Sequence, residues 1–428
     1  MVAAEIFLWG KRLGAIIWNE NKGISSFVYD DDFCQQGLEP SPLMMPLASN
    51  TPYEFPGLNH DTFMGLPGLL ADALPDAFGK ALLDRWLTSV GRRFANPVER
   101  LCYQGTRSMG ALEFVPSYAP YLEQSTRLEM DALVAIAHEV LTQKAELNVN
   151  MNDDKREAIA NIIKVGTSAG GQRAKVVIAY NDETGEVRSG QLDAPEGFDY
   201  WLLKLDGVTN KQLGDPQHFG EIEYIHYLMA REAGINMTEC RLLQENNRAH
   251  FMTRRFDRVN GEKVHMQTLC GLAHYDYKML HAYSYEQAFQ VMRRLHLPYP
   301  EAEEFYRRMV FNVVACNQDD HTKNISFLMD KKGTWSLSPA YDMSWAYSSQ
   351  GTWTQSHQMS IHGKQTGITR ADLLEVARQM NIKHAPAIID RVVEAVSRWT
   401  TLAAEYEIDK EVVQYIEQTH NYLPTTGA

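Results

Sequence analysis

The segments N-Q-D-D-H-T-K-N at residues 317–324 and S-P-A-Y-D-M at residues 338–343 decide how this sequence folds. The first segment comes directly after an apolar stretch with helical spacing that ends at Cys316. Between the two segments, apolar runs at 325–329 and 334–337 flank a polar turn, which is the pattern of a β-hairpin. The sequence therefore predicts a buried helix, a polar loop, a hairpin and then an aspartate.

Protein kinases carry their chemistry on this order of elements. Asp319 and Asn324 have the D-x-x-x-x-N spacing of a kinase catalytic loop, and Asp342 follows the hairpin as a metal-binding aspartate does. Phosphoryl transfer needs a carboxylate that accepts the proton of the attacking hydroxyl, and oxygen ligands that hold Mg²⁺ against the phosphates. D-x-x-x-x-N alone is common, and a turn or a helix cap is the better explanation of the isolated motif. The hairpin and the second aspartate favour the kinase interpretation.

A metal-dependent hydrolase is the alternative interpretation of this loop, because His321 stands beside Asp319 and Asp320. Such sites usually need further histidines at helical spacing, as in H-E-x-x-H. The sequence contains no such pair. We therefore prefer the kinase interpretation to the hydrolase interpretation.

Two features upstream are compatible with phosphate binding. The glycine-rich segment V-G-T-S-A-G-G-Q at 165–172 would let backbone N–H groups approach phosphate oxygens, although a surface turn explains it as well. Lys204 lies in an apolar strand, where a buried ammonium needs an anionic partner, but an outward-facing lysine is equally compatible with the sequence. Glu223 is the candidate partner by analogy with kinases, and a solvated helix acid is its simpler explanation.

The rest of the chain indicates an α+β protein with a β-rich N-terminal part and a helical C-terminal part. Apolar runs broken at Gly10 and at 21–23 predict a β-meander over residues 4–29. Further strands are predicted at 175–180, 201–205 and 249–256, the first two antiparallel. Helices are predicted at 77–90, 128–147, 221–233, 302–316, 370–380, 387–404 and 410–420.

Composition excludes several classes of protein. Five scattered cysteines without a C-x-x-C pair indicate neither a disulfide framework nor a zinc site, so we expect a reduced, cytoplasmic environment. The sequence shows no signal peptide and no apolar run of about 18 residues, so no membrane span is expected. A net charge of −13 disfavours broad attraction to nucleic acid, and DNA is expected only through a partner.

Taken in order, the motifs of this chain resemble those of the HipA family of serine/threonine protein kinase toxins from type II toxin-antitoxin systems. The similarity covers nearly the whole chain. It rests on residues 66–76 and 110–112, T-S-A-G-G-Q at 167–172, W-L-L-K-L at 201–205, R-F-D-R at 255–258 and the two segments at 317–324 and 338–343.

The resemblance implies a bilobal protein-kinase-like fold with three parts. These would be an N-terminal subdomain over 1–118, a kinase N-lobe with the glycine-rich phosphate loop over 119–257, and a helical C-lobe with the catalytic loop over 258–428.

The resemblance also implies the roles of individual residues in using ATP and Mg²⁺. Asp319 would be the general base, with Asn324 and Asp342 as Mg²⁺ ligands and with His321 and Lys323 steadying the phosphoryl group. The expected ATP contacts are Lys204, Gly170, Gly171 and Gln172 on the phosphates, Arg254 to Phe256 at the adenine, and Asp257 on the ribose. In the family a serine of the glycine loop is autophosphorylated, and Thr167 with its neighbour Ser168 are the candidates here.

The partners that the resemblance implies are a protein substrate with a serine or threonine acceptor, such as an aminoacyl-tRNA synthetase, and a small HipB-like helix-turn-helix antitoxin that binds DNA. The competing interpretation is a catalytically weak protein that serves its antitoxin as a corepressor. A nucleotide hydrolase is the third alternative.

Overall fold

The structure is a computed structural model that describes residues 2–89, 91–92, 94–118, 127–142, 174–208 and 218–423. The chain divides into two compact units. The first comprises Met1–Gln217, Leu243–Gln267 and Leu328–Thr334, and the second comprises His218–Leu242, Thr268–Phe327 and Trp335–Ala428.

The expected domain boundaries at residues 118 and 257 do not separate these units, because side chains beyond residue 257 are bonded to the N-terminal residues. Arg258 donates to the carbonyl oxygens of Gly110 and Ser108 at 3.0 and 3.1 Å. Lys263 pairs with Glu113 at 2.7 Å. Residues 258–267 therefore group with the first unit.

The predicted β-meander opens the first unit and is confirmed. It forms an antiparallel sheet in the order β3-β2-β1-β4, from β1 (Ala3–Leu8), β2 (Lys11–Asn19), β3 (Ile24–Tyr29) and β4 (Leu112–Val115). Gly10 and Gly23 take the left-handed conformation at the two hairpin turns, which is why the apolar runs break there. The helices of this part are α1 (Asp31–Cys34), α2 (His60–Phe63), α3 (Gly68–Ala71), α4 (Ala77–Ser89), α5 (Pro97–Gln104) and α6 (Met130–Thr142).

A second sheet in the order β6-β5-β7-β9-β8 contains the two antiparallel strands that the sequence predicts. One face carries buried residues of β5, β7 and β9, and these belong to one apolar core with residues of α4 and α6. Lys204 is on the other face, directly opposite Lys175. The strands are β5 (Lys175–Tyr180), β6 (Val187–Ser189), β7 (Asp199–Lys204), β8 (Cys240–Glu245), β9 (Arg248–Arg254), followed by β10 (Arg258–Val259), β11 (Glu262–Lys263) and β12 (His265–Thr268).

The second unit is mainly helical, as predicted. One predicted helix, 387–404, is wrong as a single element. One helix ends at Val396 and a second begins at Trp399. The Trp399 side chain is fully buried, and its indole N–H donates to Val413 O at 3.1 Å. The elements are α7 (Phe219–Glu232), α8 (Leu269–Ala273), α9 (Tyr285–Arg294), α10 (Tyr299–Val314), α11 (Arg370–Met380), α12 (Ala385–Val396), α13 (Trp399–Glu405), α14 (Lys410–Thr419) and the strands β13 (Ser326–Met329) and β14 (Trp335–Leu337). Within the described ranges, none of the helices combines the length and the apolar character needed to cross a bilayer.

Two histidines are buried in the core of this unit. The ring of His226 on α7 lies 5.3 Å from Trp399 and 6.3 Å from His420, measured between ring centroids. Burial lowers the pKa of His226 to about 4. Burial, and then the neighbouring His226, lowers the pKa of His420 to about 3. Both rings are therefore neutral in the folded protein at neutral pH.

We expect His226 to make the second unit sensitive to acid. Its pKa in the folded chain lies below the ordinary 6.5, so the unfolded chain takes up the proton first as the pH falls. The stability that the neutral ring contributes is present above pH 6.5 and is lost towards pH 4, by up to about 3 kcal/mol. In urea titrations between pH 7 and 4, His226→Phe should therefore lose less free energy of unfolding than the wild type. His60→Phe makes the same change at an exposed histidine and should follow the wild type; equal acid dependence of all three proteins would contradict the prediction.

Candidate functional site

The candidate site begins where α10 ends. The apolar face of α10 is buried at Phe305, Met309 and Val313, and this face anchors the helix in the core. Cys316 then takes the left-handed conformation, with φ 53°, and turns the chain out of the helix. The loop that follows is held by Gln318 N, which donates to Ala346 O at 3.0 Å. The predicted order of helix, loop and hairpin is therefore confirmed.

Asn324 and Asp342 line the same small pocket, as does His321. The side-chain nitrogen of Asn324 donates to Asp319 O at 2.8 Å, which closes the loop and turns the amide oxygen away from that bond. The side chain of Asp319 is 43% exposed, and its Oδ1 lies 3.7 Å from His321 Nε2. The structure thus brings together the base and the two metal ligands that the sequence predicts around one loop.

The segment that carries Asp342 is bonded to α10 and to the loop. Arg308 of α10 donates to Ser338 O at 2.9 Å, and Tyr341 donates its hydroxyl hydrogen to Lys323 O at 2.7 Å. Asn317 Nδ2 donates to Asp342 O at 3.2 Å, and Asp342 itself has a left-handed φ of 51°. Aspartate is one of the few non-glycine residues that adopt this conformation at modest cost, and the bond from Asn317 fixes the backbone there. These bonds therefore set the position of the Asp342 carboxylate.

Tyr277, which the sequence analysis did not identify, contacts His321 and Lys323 of the loop. The Tyr277 ring lies 5.3 Å from the His321 ring, between centroids. Lys323 Nζ stands 5.2 Å from the centroid of the same ring, which is cation–π geometry. One aromatic side chain thus orders both groups expected to act on the phosphoryl group.

Asp320 is chemically distinct from its neighbour Asp319. Its side chain has no exposed surface, and the carboxylate accepts hydrogen bonds from Tyr285 Oη at 2.8 Å, His357 Nδ1 at 2.8 Å and the Gln358 backbone at 2.7 Å. With its oxygens occupied and buried, Asp320 cannot reach a substrate hydroxyl. The D-D pair in the sequence does not tell which aspartate is exposed, and the structure assigns the exposed one to position 319.

The residues at the pocket fit a magnesium ion by the chemistry of their donors. Asn324 and Asp342 offer amide and carboxylate oxygens, which Mg²⁺ prefers, and Mg²⁺ commonly takes one or two protein ligands and completes its shell with phosphates and water. No group of three or more His, Cys, Asp or Glu side chains suited to a metal occurs among the residues that the structure describes. A closed zinc site of the hydrolase alternative is therefore not found in this part of the chain.

The predicted phosphate lysine and its candidate carboxylate partner differ in burial. Lys204 is half-buried, with Nζ 5.6 Å from the centroid of the Phe251 ring. Glu223 on α7 is 4% exposed, so its explanation as a solvated helix acid is wrong. Gly170, Gly171 and Gln172, together with Thr167 and Ser168, lie outside the described residues.

The residues expected at the adenine and ribose lie at the end of β9. Arg254 is exposed and paired with Asp199, and Phe256 is half-buried. Asp257 has no exposed surface and is held by Arg255, by Arg258 and by Gly110 N, at distances between 2.7 and 2.9 Å. Burial alone would raise the pKa of Asp257, but the charges of Arg255 and Arg258 hold it well below its usual range. A ribose contact of Asp257 is not supported by this geometry, because no surface of the carboxylate is accessible.

Comparison with known proteins was made at the level of sequence and of fold. Residues 4–115 match the model of the HipA N-terminal domain, and residues 167–400 match that of the HipA-like C-terminal domain. The structure is similar to HipA in a complex of HipA, HipB and operator DNA from Shewanella oneidensis MR-1. The two chains have 16% identity and a TM-score of 0.67, and the match covers 98% of this chain and 95% of that one. This likeness shows a shared α+β fold.

Two further proteins to which the chain is similar are described as kinases. The putative kinase Y4dM of Sinorhizobium fredii is 26% identical over 226 residues, which is 49% of this chain and 52% of that protein. The match thus spans about half the length of this curated relative. The proinflammatory kinase CtkA of Helicobacter pylori shares 12% identity with a TM-score of 0.35, over 52% of this chain and 85% of that one, which is too low to add to the fold assignment.

We expect Asp257→Asn to lower the free energy of unfolding by about 3 to 5 kcal/mol, because it leaves two buried arginines without a full counter-charge. Asp199→Asn makes the same change in an exposed pair with Arg254 and should cost less than about 1 kcal/mol. Chemical denaturation at pH 7 measures both. Equal losses in the two variants would show that the buried cluster is not a principal support of the first unit.

Proposed function

The chain belongs to the HipA family, since the model of the HipA-like C-terminal domain alone matches more than half of it. From this premise we propose that the protein is an ATP- and Mg²⁺-dependent serine/threonine protein kinase. We further propose that it acts in the cytoplasm as the toxin of a toxin-antitoxin system. The observation that supports this most directly is the exposed Asp319 on a loop whose Asn324 shares a pocket with Asp342.

Each of these residues would have one task in phosphoryl transfer. Asp319 would orient the acceptor hydroxyl and take its proton at a carboxylate oxygen, which its exposure permits. Asn324 and Asp342 would hold Mg²⁺, and when bound the ion would neutralise charge that develops on the phosphate oxygens. His321 and Lys323, both ordered by Tyr277, would contact the transferred group.

The nucleotide contacts that we propose come from the upstream motifs of the chain. Lys204 would bind phosphate oxygens as a point charge, together with Gly170, Gly171 and Gln172 of the glycine loop. Arg254 to Phe256 would contact the adenine. Thr167 and Ser168 would be the candidates for autophosphorylation. We leave Asp257 out of the nucleotide contacts because its carboxylate is buried among arginines.

The proposed partners follow from the family and from the charge of the chain. The similar HipA from Shewanella oneidensis was solved together with HipB and operator DNA. A helix-turn-helix antitoxin of that kind would supply the DNA contact, since this chain carries a net charge of −13. The proposed substrate is a host protein such as an aminoacyl-tRNA synthetase, whose modification would stop translation and growth.

A catalytically weak corepressor is the second candidate, favoured by the presence of operator DNA in the complex of the similar protein. It differs from the kinase in needing no phosphoryl transfer. A nucleotide hydrolase would release free phosphate from ATP without labelling a protein.

Asp319→Asn should reduce phosphoryl transfer by at least about 100-fold, because the amide cannot accept the proton of the attacking hydroxyl. The purified protein is incubated with γ-labelled ATP and Mg²⁺, alone and with a cell extract, and labelled protein and free phosphate are counted. Asp390→Asn changes an exposed aspartate on α12 and should retain full transfer. No labelled protein from the wild type would exclude the kinase, and free phosphate at a high rate would indicate the hydrolase.

A further inference from the structure

Asp320 is the start of a chain of hydrogen bonds beneath the catalytic loop. Tyr285 Oη donates to Asp320 Oδ2 and accepts from Asn312 Nδ2 at 2.9 Å. Asn312 Oδ1 in turn accepts from Asn317 Nδ2 at 2.9 Å. The same Nδ2 donates its second hydrogen to Asp342 O at 3.2 Å. We call these four side chains, Asp320, Tyr285, Asn312 and Asn317, the polar relay.

The polar relay is buried throughout. Its members are between 1% and 8% exposed, and all four line the pocket that also contains Asn324 and Asp342. His357 closes the outer end, and because a carboxylate only accepts, His357 Nδ1 carries the hydrogen of its bond to Asp320. A hydrogen-bond chain with every bond made is rigid, since moving one member leaves another buried polar atom without a partner.

The two ends of the relay are the points that phosphoryl transfer would depend on. One end fixes the loop at residue 320, directly beside the proposed base at 319. The other end holds the backbone of Asp342, which keeps its left-handed conformation and so directs the carboxylate. We propose that the polar relay sets the distance between the base and the metal-binding carboxylate, and that Asp320 and Tyr285 are positioning residues. This inference rests on the proposed kinase function.

Tyr285→Phe is the sharpest test, because it removes one hydroxyl from the middle of the relay and keeps the ring that packs against Phe305. We expect kcat to fall about tenfold or more, as for the loss of a hydrogen bond to a charged group. The Mg²⁺ concentration at half-maximal rate should rise, since Asp342 is no longer held. ATP binding without Mg²⁺, measured by calorimetry, should stay unchanged.

Tyr306→Phe is the matched control. Tyr306 lies on α10, is fully buried, and donates its hydroxyl hydrogen to Leu373 O at 2.9 Å, so the substitution also removes one buried hydroxyl but outside the relay. It should lower thermal stability without changing the Mg²⁺ dependence. If Tyr285→Phe has the same kcat and the same Mg²⁺ midpoint as Tyr306→Phe, the relay is structural only and the inference is wrong.

A double substitution tests whether the relay acts as a unit. If it does, Tyr285→Phe combined with Asn317→Ser should shift the Mg²⁺ midpoint no further than the larger single shift, whereas independent groups would give the product of the two shifts. If the wild type transfers no phosphate, the kinase proposal fails by itself. The Mg²⁺ dependence of ATP binding, measured by calorimetry, then tests the relay. A shift of the Mg²⁺ midpoint in Tyr285→Phe but not in Tyr306→Phe supports the inference, and no shift in Tyr285→Phe overturns it.

Discussion

The carboxylate of Asp320 is buried without any contact with solvent, and a charge in that position is tolerated only when donors replace its hydration. The donors come from the first residue of α9 and from residues 357 and 358, far away along the chain. The loop at 317–324 therefore reaches its conformation only when these segments have packed around it. The geometry of the candidate site is in this sense a property of the whole second unit.

The first unit depends on a similar constraint at Asp257. Two arginines and a backbone N–H from Gly110 surround a carboxylate with no exposed surface, and they join the end of β9 to the N-terminal residues. In both units an aspartate within a predicted motif is buried and hydrogen-bonded, while a neighbour in sequence has an accessible side chain. Asp320 stands beside the exposed Asp319, and Asp257 lies close to the exposed Arg254.

The family match and the contacts of this chain's own residues support different conclusions. The matches to the HipA domain models and the shared fold show the family, but identity to the similar structure is only 16%. At that distance, function has to be argued from the site. The exposed Asp319, the pocket of Asn324 and Asp342, and the aromatic contacts of Tyr277 support a kinase independently of the family name. The polar relay is an additional property, visible only in this chain's own contacts.

The sequence by itself determined the order and type of the elements around the site, because apolar periodicity and turn residues act over a few neighbouring positions. It predicted α10 and the hairpin of β13 and β14. It also predicted that Asp319 and Asn324 lie in the loop after the helix and that Asp342 follows the hairpin. It could not predict that residues 258–267 belong with the first unit, nor that the helix at 387–404 breaks, since both depend on contacts with distant residues. Only the tertiary structure decided that Asp320 and Asp257 are buried whereas the Asp319 side chain is accessible. The reason is that burial and hydrogen bonding bring together side chains such as Tyr285, Asp320 and His357, which no local pattern connects.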